Sequence, residues 1–139
     1  MGRGLIGLAL LLWAATAQAQ TVTGYQLAVY LQGGVSPTTT YDIPAAAVTC
    51  GQPRVTVTGT QANPTRARWN DPANAAADCV WTDTGTGPLL GLPFNPTAVY
   101  EATVRAVNAA GVSGESPRSN PFTRPGSVPS APAGLRIGG

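Results

Sequence analysis

The sequence predicts an all-β sandwich, and three observations carry that expectation. Apolar and polar residues alternate in several short runs. Gly and Pro, 17 and 13 of 139 residues, fall between those runs instead of filling one segment. No helical period of useful length competes with them.

The first strand is "GYQLAVYLQGG", where Tyr25, Leu27, Val29 and Leu31 share a face predicted to be buried, and Gly33-Gly34 ends the run. "SPTTTYDIPAAAVTC" reads as a loop with a short extended piece, because Pro37 and Pro44 each lack a backbone donor. "RVTVTG", Arg54 to Gly59, alternates again and predicts a strand with Val55 and Val57 inward. "TRARWNDP" and "ADCVWTD" predict two short strands around a turn, with room for one helical turn at Ala75–Ala77. "PLLGLPF" is a further strand candidate, and Val99–Asn108 is the longest strand, with Tyr100, Ala102, Val104, Ala106 and Asn108 on one face. "SNPFTRP" predicts an edge strand, since Pro121 and Pro125 would interrupt a paired one.

Upstream of these elements, Arg3, the apolar run Leu5–Ala15 and Ala17-Gln18-Ala19 have the layout of a signal peptide over residues 1–19. That run is well short of the roughly 20 residues a membrane-spanning helix needs, so no membrane span is expected. The protein is expected to be secreted, periplasmic or held at the cell surface. Removing 19 of 139 residues leaves 120, enough for one core: a domain over 20–127 and a Pro/Gly-rich tail over 128–139. Eight arginines and six acids give the full chain +2, which becomes +1 without Arg3. The arginines are scattered, so nucleic acid is not an expected partner.

Export implies an oxidising compartment, and Cys50 and Cys79 are then expected to form a disulfide. Closing a loop of about 30 residues stabilises the fold by roughly 3.6 kcal/mol on the chain-entropy model. The chain has no His and no Lys, which removes Ser-His-Asp and Cys-His catalysis and every imidazole metal ligand. No cofactor and no metal are expected. Asp71, Asp78 and Asp83 are the carboxylates that could make a glycosidase-type pair, but each sits where a turn or surface carboxylate is the better account. Trp69 and Trp81 could form a sugar-stacking platform if exposed. The stronger expectation is core, because Trp81 follows Cys79 by two residues and shares its strand face. Asn63 and Asn95 precede Pro and are not glycan acceptors.

"VYEATVRAVNAAGVSGES" resembles the F strand and following turn of a fibronectin type III domain. Tyr100, Val104, Ala106, Asn108 and Gly111 stand at the family spacing, and Ser113 and Ser116 continue it. The resemblance spans residues 88–125, and "GYQLAVYLQGG" resembles the family's C strand, with no room before it for A and B strands. Tyr100 is then the buried tyrosine of the E–F corner, Asn108 a turn cap and Gly111 a site of positive φ. The tail resembles the family's A strand at Pro129, Pro132 and Leu135. Three roles are open to it: a permuted strand folding back, a strand offered to a neighbour, or the remnant of a repeat; its Pro and Gly density predicts loose order. The implied function is a non-catalytic interaction or structural module that binds protein or glycan through loops or sheet edges. The alternatives are a self-associating fibre subunit that exchanges terminal strands and, third, a carbohydrate-binding accessory.

Overall fold

A computed structural model describes residues 21–126 and 131–139, so the signal-peptide assignment lies outside the described residues. The chain is all-β, with two sheets facing one another. β1 (Gly24–Leu31) is paired antiparallel on both edges, with β2 (Thr39–Pro44) and with β7 (Asn95–Asn108). The larger sheet runs β2-β1-β7-β9-β4, with β4 (Gln61–Ala62) and β9 (Phe122–Arg124) at its far side and β8 (Gly111–Val112) also on β7. The smaller sheet runs β3-β6-β5, from β3 (Thr49–Pro53), β5 (Arg66–Asp71) and β6 (Asn74–Thr82).

The alternation in β1 places Tyr25, Leu27 and Val29 in the core, with Val29 fully enclosed. From the facing sheet comes Trp81, and from the turns after β6 come Leu89 and Leu92. Aromatic rings join the layers: Tyr25 lies 4.8 Å from Trp69 and Tyr41 lies 5.6 Å from Trp81. Leu31, predicted inward, is instead exposed at the strand's end. The opposite face of β1 is covered as well, since Arg118 lies 3.7 Å over the Tyr30 ring and the Tyr30 hydroxyl donates to Glu115.

Several sequence expectations are corrected by competing hydrogen bonds. Arg54–Gly59 forms no strand and leaves Val55 and Val57 exposed, because the Val55 N–H and the Arg54 guanidinium are both taken by the buried Asp78 carboxylate. Ala75–Ala77 is not helical but belongs to β6, reached by a two-residue turn at Pro72-Ala73 that the Asp71 carboxylate closes by accepting from Ala73 N. Pro88–Phe94 is a series of turns, because the Leu89 and Leu90 amides go to Asp83 and are lost to any ladder. β9 is not an edge: its two prolines lie just outside it, and it pairs antiparallel with β7 and parallel with the two-residue β4. Residues 131–139 form no strand, so they do not fold back as a permuted one.

The disulfide is present, Cys50 to Cys79 at 2.04 Å, linking adjacent strands of the smaller sheet where the β3–β6 register shifts. Cys79 is fully buried and the Tyr25 hydroxyl lies 3.9 Å from its sulfur, so the link abuts the aromatic core. Replacing both cysteines, Cys50→Ala with Cys79→Ala, should lower unfolding free energy by about 3.6 kcal/mol. A urea titration checks this, and an unchanged midpoint would contradict it.

Candidate functional site: a cleft at the open side of the sandwich

The chain from Gly111 to Arg124 runs antiparallel along β7, but its middle is not a regular strand. Ser113, Ser116 and Ser119 recur every third residue. Their N–H groups donate to the carbonyls of Ala106, Val104 and Ala102 at 2.8, 3.0 and 2.9 Å. Their hydroxyl oxygens accept from the N–H of the same three residues at 2.9, 3.0 and 3.0 Å. Each hydroxyl then donates to the next residue's carbonyl, that of Gly114, Pro117 or Asn120. In an ordinary antiparallel pair a carbonyl would accept the β7 amide; here a hydroxyl stands in for it. Three residues of this strap thus cover two of β7, and Pro117 is accommodated because its missing donor falls between anchor points. From the sequence Ser113 and Ser116 were singled out, but neither Ser119 nor the strap, for which the three-residue recurrence of serine is the available signal.

Across from the strap, β5 pairs among the described residues with β6 alone, and its other side borders a cleft of about 950 Å³. The floor is made by Tyr25, Leu27, Trp69, Ala102, Val104 and Ala106, and Arg66 and Arg68 lie along β5. The stretch carrying Val55 and Val57 forms a rim, tied to the strap where Asn120 Nδ2 donates to Gly59 O at 2.9 Å. Of the arginines around the cleft, Arg54 and Arg68 pair with Asp78 and Arg105 pairs with Glu115, while Arg66 stands exposed on β5. Hydrogen bonds from the Tyr30 hydroxyl and from Arg105 hold the Glu115 carboxyl below its ordinary value.

The fold-signature residues take structural roles. Tyr100 is buried and stacks on Phe122 at 5.9 Å, while Val104 and Ala106 are half-buried against the core. Asn108 accepts from Ala110 N at 2.8 Å, and Gly111 has φ of 144°, where a side chain would be strained. Trp81, only 5% exposed, is core and unavailable for stacking, whereas Trp69 is half-buried and reaches the cleft. Trp69 and Trp81 therefore do not form a pair of exposed indoles.

The three aspartates each have their own partners. Asp71 accepts from Gly51 N and Ala73 N, and Asp78 from Val55 N and the Arg54 guanidinium. Asp83 accepts from four amides, those of Gly85, Gly87, Leu89 and Leu90, at 2.9 to 3.0 Å. Cys50, Asp71 and Cys79 place their donor atoms within 4.8 Å of one another, but the sulfurs are bonded together and offer no thiolate to a metal. Comparison with family models, with curated proteins and with solved structures finds no match to this chain.

Burial alone would raise the pKa of Asp83, but the four amide hydrogen bonds outweigh it and the pKa lies below the ordinary carboxylate value. Its contribution to stability is therefore complete above about pH 4, the unfolded value, and is lost as pH falls through the depressed folded value. Asp83→Ala should cost at least about 3 kcal/mol by orphaning buried amides. The same change should flatten acid unfolding below about pH 4, and a parallel acid limb in wild type and variant would count against this. Ser116→Ala should cost about 1 kcal/mol and speed hydrogen exchange at the Val104 amide; unaltered exchange there would mean the hydroxyl is not holding it.

Proposed function

We propose that this chain is an exported, non-catalytic binding module with a fibronectin type III-like sandwich, and that a protein or glycan partner enters the cleft between β5 and the serine strap. The observation that carries the proposal is that cleft: an apolar floor beside an edge of β5 that pairs with no other strand among the described residues.

Strand order supports the family likeness. The C-like strand β1 lies between β2 and the F-like strand β7, and the chain after β7 pairs along its other edge. The facing sheet departs from the family, since all three of its strands come from residues 49–82, between β2 and β7. Sheets of this kind carry many functions, so the functional weight rests on the cleft and not on the fold. The engagement of Asp71, Asp78 and Asp83 in turn and loop hydrogen bonds supports a non-catalytic role. Trp69 at the cleft keeps a glycan partner within the proposal, although Trp81 cannot assist it.

Peptide and glycan arrays probed with the full-length protein should yield a binder that shifts the amide resonances of Arg66–Asn70 and Ser113–Asn120. Arg66→Glu, at an exposed position on β5, should weaken that binder about tenfold if it is anionic. A substrate turned over by the protein, with no ligand found at the cleft, would overturn the proposal.

A further inference from the structure

β5 is six residues long and, among the described residues, pairs only with β6, so one row of its backbone groups borders the cleft. The facing sheet extends past β5, from β1 to β7 and β9, and the inner residues Ala102, Val104 and Ala106 of β7 line the same space. A further strand beside β5 would lie over them and complete the smaller sheet.

The chain carries a segment with the matching pattern. Across Ala131–Gly139, Leu135 and Ile137 are 87% and 95% exposed, although they are large and apolar. Arg136 stands between them, so an extended backbone places both apolar side chains on one face and the charge on the other. Gly134 and Gly138 flank the pattern. Nine extended residues span up to about 30 Å. Six strand residues span about 20 Å, so the segment is long enough to run the whole β5 edge.

We propose that Ala131–Gly139 of one copy adds as a strand to the β5 edge of a second copy, with Leu135 and Ile137 seated in the cleft. This rests on the cleft being the binding site and names a second copy of the chain as its occupant. In its own chain the segment is solvated along its whole length, which leaves its apolar face for another molecule. Exchange in both directions closes a two-fold pair. Such a pair commits, from each copy, nine segment residues and the β5 and β7 residues that border the cleft.

Sedimentation of the full-length protein over a wide concentration range, beside the double variant L135D/I137D, tests the exchange. Both changed residues are exposed, so the variant should keep the wild-type circular dichroism. Wild type should show a concentration-dependent dimer, and the variant should self-associate at least about tenfold more weakly. A synthetic peptide of residues 131–139 added to the variant should shift the amides of Arg66–Asn70. A monomeric wild type, or a dimer that persists in L135D/I137D, overturns the exchange. So does a monomeric wild type whose cleft resonances move on L135D/I137D alone, because the chain's own segment then occupies the cleft. If the peptide is inert while an array ligand shifts β5, the exchange fails and the cleft stands as a site for another partner. If neither binds, both fail.

Discussion

The carboxylate of Asp83 gathers four amides within seven residues, and the closure of the sandwich at that end depends on it. A buried carboxylate without partners would be expelled or protonated, so charge and loop form together or not at all. Once the loop is wound, Leu89 and Leu92 are delivered to the core from a segment that contributes no strand. Gly87 shows how tight the winding is: a Cβ there would stand 2.6 Å from the Trp81 ring and 2.8 Å from the Asp83 carboxylate. Any side chain at that position would force Trp81 or the carboxylate aside, and Trp81 is the indole that meets Tyr41 across the layers.

At the other end the same problem, a backbone that must be satisfied without a ladder, is solved with hydroxyls. The strap carries Pro117 and three serines in eight residues, a composition poorly suited to a strand. Serine's hydroxyl both accepts and donates, so one side chain receives the β7 amide and passes a hydrogen bond on to its own backbone. From the strap, Glu115 and Arg118 reach across to Tyr30, and this explains why both faces of β1 are buried although only one was expected to be.

What could be read from the sequence follows from the range of the interactions involved. The β1 core face, the β5–β6 hairpin, the long β7, the Asn108 and Gly111 turn and the Cys50–Cys79 pair were legible, because each depends on alternation, on residues within one turn, or on the scarcity of cysteine. The status of Arg54–Gly59 was not, since its Val-Thr alternation is undone by Asp78, 23 residues from Val55. Pro88–Phe94 failed for a related reason: an aspartate a few residues earlier claimed the amides that a strand would have used. The cleft was invisible in the sequence, because it is defined by the side of β5 that no described strand pairs.

An unpaired strand at the side of a half-apolar cleft invites indiscriminate pairing, and the residues of β5 limit what can accept the invitation. Arg66 and Arg68 occupy its outward face, where cationic side chains deter stacking of identical edges by like-charge repulsion. Pro64 and Pro72 bracket the strand, so a long ladder cannot extend past it in either direction. Inward, Ala67 and Trp69 offer one small and one large side chain, a shape that favours an occupant with apolar residues spaced two apart. Charge on the outward face and a proline at either end together disfavour open-ended pairing along this edge.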